Sequence, residues 1–244
     1  MTTIVAKEAK YRTTRSWNPF VGCNFRCSYC KPSFQNLIAW LGRMHNCELC
    51  QQYSPHEHSE RLTRIPSDRA IFVCEDGDIA FANLDFMGKV FGAMQKDKKE
   101  DRVWFVQSKN PRCLGQYLRM LPENTFLLTT LETNRDEGYE RISSAPKPSV
   151  RYRGFLSLQW EKKMVTVEPI LDFDPPIFTK WIESLKPQAV FIGYNSHPEV
   201  VSLPEPHKNK TWQLIHALET KGIPVLKKEM RDRRVRKKAY RDFL

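Results

Sequence analysis

The chain has 244 residues, with 39 Lys plus Arg against 28 Asp plus Glu and a formal net charge of +11. This length can bury a large core without disulfides, and a content of 41% hydrophobic residues excludes wholesale disorder. No run approaches the roughly 18 apolar residues of a membrane span, and the N-terminal segment lacks the apolar stretch of a signal peptide. We therefore expect a cytoplasmic protein that does not associate with membranes.

Short apolar runs alternate with longer amphipathic segments along the chain. Strands are predicted at residues 70–74, 103–106, 125–131, 164–167, 189–193 and 223–226, and helices at 85–95, 111–121, 135–143, 176–185 and 211–220. Strands that are apolar throughout and separated by helices pair in parallel, with both faces of the sheet covered. The pattern predicts an α/β fold, a partial or complete barrel with its site at the carboxyl ends of the strands.

The seven cysteines favour metal or redox chemistry over disulfides, because five of them fall between Cys23 and Cys50. Cys23, Cys27 and Cys30 follow a C-x3-C-x2-C spacing. Three thiolates on one loop can hold three corners of a cubane iron–sulfur cluster and leave one iron open, whereas a structural zinc ion takes four ligands. A zinc knuckle or three unrelated buried cysteines are the alternatives.

This spacing, with Tyr29 before the last cysteine, resembles the radical S-adenosylmethionine (SAM) superfamily. Further motifs resemble a three-cysteine-motif family of phage and prokaryotic genomes that is related to spore photoproduct lyase. They are SWNPFVGC at 16–23, PHEHSERL at 55–62, IFV at 71–73 with Asp78, VEPI at 167–170 and GIPV at 222–225. The resemblance implies a partial (β/α)6-type radical SAM barrel with mainly parallel strands.

The resemblance also implies cofactors and a reaction. A [4Fe-4S] cluster held by Cys23, Cys27 and Cys30 would bind SAM at its open iron and cleave it to a 5′-deoxyadenosyl radical, which abstracts hydrogen from the substrate. The electron would come from a reductase or from a flavodoxin- or ferredoxin-type donor. No hydrogen-atom donor of the protein is evident, and Cys74 and Tyr194 are the candidates.

Polar residues after the predicted strands are the expected cofactor contacts. By resemblance, Glu75, Asp76 and Asp78 would meet the SAM amino group, Glu132 and Asn134 the ribose, Glu168 the cofactor's surroundings or the substrate, and Asn195 the adenine, with Tyr29 beside the cluster. The alternative is ordinary loop chemistry, since Asp, Asn and Gly also form turns and caps.

A second cysteine pair, Cys47 and Cys50, precedes His56 and His58. Together the four residues can close a tetrahedral zinc site, but the His-x-His spacing leaves little room for both rings to reach one ion. The cysteine pair is therefore a candidate zinc site, and the two histidines are predicted to contact substrate.

The positive charge is concentrated at the C-terminus, where residues 227–241 hold nine Lys or Arg and two acidic residues, a net charge of +7. Such a segment can contact many phosphates of a nucleic acid, and a solvated amphipathic helix is the alternative. The expected contacts are Lys227, Lys228, Arg231, Arg233, Arg234 and Arg236. We expect a barrel domain over residues 1–228, with a cluster loop at 22–31 and a Cys/His insertion at 45–62, followed by a basic tail at 229–244.

Taken together, these patterns predict a radical SAM enzyme that repairs or modifies a base in DNA or RNA. One alternative is a radical SAM enzyme for a small molecule or peptide whose tail binds a partner. Another is a non-enzymatic, zinc-containing protein that binds nucleic acid.

Overall fold

A parallel sheet organises the part of the chain that the computed structural model describes, residues 14–228 and Met230. In chain order the strands are β1 (Thr14–Trp17), β2 (Phe20–Val21), β3 (His56–Glu57), β4 (Ala70–Val73), β5 (Val103–Gln107), β6 (Thr125–Thr130), β7 (Lys163–Val167), β8 (Ala189–Gly193) and β9 (Val225–Lys228). Seven of them form one sheet in the order β1-β4-β5-β6-β7-β8-β9, and every pairing in it is parallel. The sheet curls into a half-barrel, which confirms the predicted fold class.

Helices cover the outer face of the sheet, except the first two, which pack against each other and Val21. The helices are α1 (Asn36–Met44), α2 (Glu48–Gln51), α3 (Leu84–Gln95), α4 (Pro148–Leu156), α5 (Pro175–Ser184) and α6 (Lys208–Thr220), with a long 3-10 segment at Pro111–Met120. Outward strand residues such as Trp104 and Val165 belong to the same buried cluster as Val90 of α3 and Leu214 of α6. Among the described residues, no helix is long and apolar enough to cross a bilayer.

The inner face of the half-barrel changes from apolar to polar along the strands. Phe72, Phe105, Phe126 and Phe191 form a buried cluster on that face, and the rings of Phe105 and Phe126 stack with centroids 5.4 Å apart. Strand side chains alternate between faces, and the last inward-facing residues of β5, β6 and β7 are polar. They are Gln107, Thr130 and Thr166. The half-barrel therefore has an apolar floor and a polar mouth.

Several elements differ from the sequence prediction. β1, α1, α2 and α4 were not predicted, and β9 begins later than expected, so Lys227 and Lys228 lie within a strand rather than after one. The helix expected at 135–143 is wrong: that stretch holds only a 3-10 turn at Tyr139–Arg141. Gly138 has a left-handed φ of 72°, which interrupts a right-handed helix there.

Candidate functional site

The three-cysteine loop lies between β2 and α1 at the carboxyl ends of the strands. Cys27 is buried, with 7% of its surface exposed, and its backbone carbonyl accepts a hydrogen bond of 3.0 Å from the Cys30 amide. The Phe25 amide donates to Cys23 Sγ at 3.4 Å. Burial and the Asp78 carboxylate raise the pKa of Cys23, so the thiolate that a metal needs is favoured only when positive charge is present.

The segment after β6 holds this loop in place. The Ser28 amide donates to the Ile142 carbonyl at 2.8 Å, and the Ser144 amide donates to the Phe25 carbonyl at 2.8 Å. The hydroxyl of Ser143 lies 3.1 Å from Cys27 Sγ. The loop is thus fixed by backbone contacts on both sides of its central cysteine.

Two glycines let the cysteine loop pair with the segment after β4. Gly22 has a φ of 95°, donates to the Asp76 carbonyl at 3.1 Å and accepts from the Asp78 amide at 3.1 Å. A Cβ on Gly77 would lie 2.8 Å from the Gly22 carbonyl oxygen, and one on Gly22 would lie 2.3 Å from the Ser54 oxygen. No other residue fits either position without moving the backbone.

The acidic residues after β4 have different surroundings. Both carboxylate oxygens of Asp78 are occupied, one by the Ser108 hydroxyl and the Ala80 amide and the other by the Lys109 amide. Asp76 is half-buried and accepts a hydrogen bond of 2.6 Å from the Asn18 side chain. Burial and the neighbouring Glu75 raise the pKa of Asp76 to about 7. Glu75 itself accepts a hydrogen bond from the Ser16 hydroxyl.

A buried charge network joins the cysteine loop to the ends of β5 and β6. Glu132 is fully buried and accepts hydrogen bonds from the hydroxyls of Tyr29, at 2.6 Å, and Tyr139, at 3.0 Å. Its other oxygen lies 2.7 Å from Arg151 Nη2, and Lys109 Nζ contacts the first. Burial alone would raise the pKa of Glu132, but Arg151 and Lys109 outweigh it and hold that pKa well below its usual range.

This network carries more positive than negative charge. Lys109 and Arg151 face one carboxylate, and Lys109 also interacts with the Cys27 sulfur, which raises the lysine's pKa further. A buried positive excess favours a thiolate or another anion nearby. Of these two cations, the sequence indicated Lys109 as a polar residue after a predicted strand but gave no signal for Arg151.

The polar mouth continues across the inner face to β9. Gln107 donates to the Thr130 hydroxyl at 3.2 Å and accepts from the Thr166 hydroxyl at 3.4 Å. Lys228 Nζ lies 2.8 Å from a carboxylate oxygen of Glu168. Gln107 was expected from the sequence as a polar residue after a strand. A change from apolar to polar side chains along the inward-facing positions of β6 and β7 is the signal that could have identified Thr130 and Thr166.

Asn134 and Asn195, the predicted ribose and adenine contacts, bond to other loops of the protein. Asn134 bonds to Asp174 through both its oxygen, at 2.8 Å, and its amide nitrogen, at 3.2 Å. Asn195 is buried and donates to the Val201 carbonyl at 2.7 Å. These two side chains brace loops in the structure, and their predicted contacts with SAM remain predictions.

The two candidate hydrogen-atom donors are both buried. Cys74 follows β4 with 2% of its surface exposed and belongs to the main core. Tyr194 is 1% exposed, and its hydroxyl lies 2.6 Å from Thr211 Oγ1 on α6. Their role as hydrogen-atom donors remains a prediction.

The two histidines and the basic residues were the predicted substrate contacts. His56 and His58 approach one another, with Nε2 atoms 2.8 Å apart and ring centroids 4.5 Å apart. Both rings therefore approach one point, although the spacing predicted little room for them to share an ion. Lys227 pairs with Glu219 at 3.0 Å. The predicted nucleic-acid contacts Arg231, Arg233, Arg234 and Arg236 lie outside the described residues.

Comparisons with known proteins give a structural likeness only. No protein-family model matches the chain, and no curated protein matches its sequence. A variant of spore photoproduct lyase has a TM-score of 0.61 at 10% identity, covering 91% of this chain and 78% of that chain. A second variant gives 0.59 at 10% identity over 89% and 77%. Spore photoproduct lyase complexed with dinucleoside spore photoproduct gives 0.58 at 10% identity over 91% and 78%. The half-barrel fold is shared with these structures.

Proposed function

We propose that this protein is a radical SAM enzyme that acts on a base of a nucleic acid. The observation that carries the proposal is the position of Cys23, Cys27 and Cys30 at the mouth of a parallel half-barrel. The loop contacts segments that follow β4 and β6, and Tyr29 reaches the buried Glu132. In α/β barrels the carboxyl ends of the strands form the active site.

The three cysteines suit an iron–sulfur cluster better than a single ion. They come from one short loop, and their sulfurs are not among the described ligand atoms that converge within 4.8 Å of one another. One tetrahedral ion needs such close convergence, whereas a cubane cluster takes its thiolates at separate iron corners. Lys109 interacts electrostatically with Cys27 and supplies positive charge beside the loop.

When bound, a [4Fe-4S] cluster with SAM at its open iron supplies one-electron cleavage of SAM and abstraction of a hydrogen atom from the substrate. The protein's own part is to hold these groups and keep water out. Glu75 and Asp76 lie beside the loop and are our proposed contacts for the SAM amino group. Gln107 and Glu168, on the inner face, are proposed to orient the substrate above the apolar floor.

A nucleic-acid substrate is supported by the surface beside the loop. Phe34 and Trp40 are 41% and 50% exposed, next to the exposed cations Lys31 and Arg43. Exposed aromatic rings interleaved with cations suit single-stranded nucleic acid, because bases stack on the rings and phosphates pair with the cations. The basic sequence of residues 227–241 adds further phosphate contacts. Spore photoproduct lyase, which shares the fold, is complexed with a dinucleoside in one structure.

The first experiment tests for the cluster. Protein purified and reconstituted without oxygen should be brown, bind iron and sulfide, and release 5′-deoxyadenosine from SAM after chemical reduction. Cys27→Ala should lose all of these properties. The matched control Cys113→Ala, at a cysteine outside the loop, should keep them. A colourless wild-type protein that holds no iron after reconstitution would contradict the proposal.

The second experiment tests the substrate. Release of 5′-deoxyadenosine should rise when single-stranded DNA or RNA is added and should stay at its basal rate with peptides. Binding should weaken steeply with salt, because each phosphate contact releases counterions. Stimulation by a peptide, with none by nucleic acid, would favour the alternative substrate class.

A further inference from the structure

Four side chains outside the three-cysteine loop meet at one point. Cys47 immediately precedes α2 and Cys50 lies within it, while His56 lies in β3 and His58 just beyond. Their ligand atoms all lie within 4.8 Å of one another. In the described part of the chain, no other group of three or more His, Cys, Asp or Glu side chains meets this condition.

The distances among these atoms match the corners of a small tetrahedron. His56 Nε2 lies 3.4 Å from the sulfurs of both Cys47 and Cys50. Cys50 Sγ lies 3.3 Å from His58 Nε2, and the two Nε2 atoms are 2.8 Å apart. Zinc bonds of about 2.3 Å to sulfur and about 2.0–2.1 Å to nitrogen give tetrahedral edges of about 3.3–3.8 Å. A slight separation of the two rings would complete that geometry.

Hydrogen bonds at the outer nitrogens, Nδ1, already orient both rings so that Nε2 can bind a metal. His56 Nδ1 lies 2.7 Å from the Ser54 carbonyl, and His58 Nδ1 lies 2.8 Å from a Glu60 carboxylate oxygen. Carbonyl and carboxylate oxygens accept, so each Nδ1 carries the proton and donates it. In the neutral rings the Nε2 lone pairs then face one another, a repulsive arrangement that a cation between them would relieve. Metal-binding histidines are oriented by the same kind of outer hydrogen bond.

We propose that Cys47, Cys50, His56 and His58 bind one Zn2+ ion. Thiolate and imidazole ligands favour zinc over calcium or magnesium, which take oxygen ligands. A two-iron cluster with cysteines on one iron and histidines on the other would hold sulfur and nitrogen far apart, whereas here they lie within 3.4 Å. The protein fills all four positions, so the site is structural. The two histidines are then ligands rather than substrate contacts.

The ion would fix one wall of the cysteine loop. β3 pairs with β2, placing His56 opposite Val21, and the His58 amide donates to the Pro19 carbonyl at 2.6 Å. Ser54 packs directly against Gly22, the residue before Cys23. Zinc at this position would hold the insertion against the strand that leads into the loop. The four ligand atoms converge whether or not the protein has the proposed function.

Metal analysis of the full-length protein tests the site. Zinc and iron per chain are measured by inductively coupled plasma mass spectrometry after purification without chelator. Wild type and Cys27→Ala should hold about one zinc per chain, and Cys50→Ser should lose most of it. Cys113→Ser, at a cysteine outside both groups, should retain it. A wild-type protein without zinc, or zinc that follows Cys27 rather than Cys50, would overturn the assignment.

Metal exchange in the wild-type protein keeps the test decisive if Cys50→Ser fails to fold. Replacement by Co2+ should produce the intense visible absorption of a tetrahedral cysteine and histidine site. Removal of the ion by a chelator should lower Tm, and added Zn2+ should restore it. A weak octahedral Co2+ spectrum, or a Tm that does not respond to the chelator, would contradict the proposal.

Discussion

The buried carboxylate of Glu132 should be essential for stability, and Glu132→Gln tests this. The side chain is fully buried among Tyr29, Lys109, Tyr139 and Arg151. Glutamine keeps the shape of the side chain and removes its negative charge. Two buried cations would then remain with no carboxylate between them, and their repulsion and desolvation would go uncompensated.

The expected loss is large because none of these groups is well exposed. Lys109 is 13% exposed by side chain, and Glu132 and Arg151 are 0% exposed. Breaking a buried ion pair by removing one partner costs about 3–5 kcal/mol, a large fraction of the roughly 5–15 kcal/mol that stabilises a typical domain. For a chain of this size, that corresponds to a decrease in Tm of about 6–20 °C.

The pH dependence of this loss follows from the direction of the pKa shift. Arg151 and Lys109 overcome burial and hold the pKa of Glu132 below its usual range. A lowered pKa contributes stability above the ordinary pKa of a glutamate and loses it only as pH falls through the lowered value. The difference between wild type and variant should therefore be constant from about pH 6 to about pH 9.

The assay is equilibrium unfolding in urea under anaerobic conditions, with the exposed Glu123→Gln as the matched control. Glu123→Gln should stay within about 0.5 kcal/mol of wild type. A double-mutant cycle between Glu132 and Lys109 should give a coupling free energy of about 0.5–3 kcal/mol. A loss of unfolding free energy below about 1 kcal/mol for Glu132→Gln would refute the counter-charge argument. Equal losses for Glu132→Gln and the control Glu123→Gln would refute it as well.

Three further predictions concern the segment after β4 and the surface beside the cysteine loop. Because the pKa of Asp76 is raised to about 7, the free energy of unfolding should fall as pH rises from about 4 to about 7, and Asp76→Asn should remove that slope in urea titrations at several pH values. Gly77→Ala places a Cβ 2.8 Å from the Gly22 oxygen and should cost about 1–3 kcal/mol in the same assay; an unchanged midpoint would disprove the close packing. Trp40→Ala should weaken binding of single-stranded DNA or RNA by about 1–3 kcal/mol in fluorescence titrations, whereas the control Ile177→Ala, at an exposed apolar residue of α5, should not; equal effects would rule out stacking beside the loop.

Much of the fold follows from local patterns in the sequence. Runs such as the one at 103–106 are apolar at every residue, which occurs when both faces of a strand are covered. β1 escaped prediction because TRSW is short and mostly polar, and it becomes a strand only by pairing with β4. α4 contains Arg151, which is a surface residue by composition but is buried here against Glu132. Pairing partners and buried ion pairs are set by contacts distant in sequence.

Part of the candidate site was likewise predictable from the sequence and part was not. The spacing of Cys23, Cys27 and Cys30 alone predicted a metal-binding loop, because all three thiols lie within eight consecutive residues. The role of Asp78 could not be deduced so directly, since its carboxylate is used up by Ser108 and Lys109 from the next strand end. A strand-end position indicates nearness to the site but not which hydrogen bonds the side chain already makes.

The sequence by itself determined the parallel α/β architecture and the three-cysteine loop, because alternation, burial and short-range spacing are properties of neighbouring residues. Only the tertiary structure decided that Glu132 is locked between Lys109 and Arg151, and that His56 and His58 turn toward Cys47 and Cys50. In both arrangements, side chains from separate segments of the chain come together. Packing of the whole chain decides which segments meet, and no local pattern encodes it.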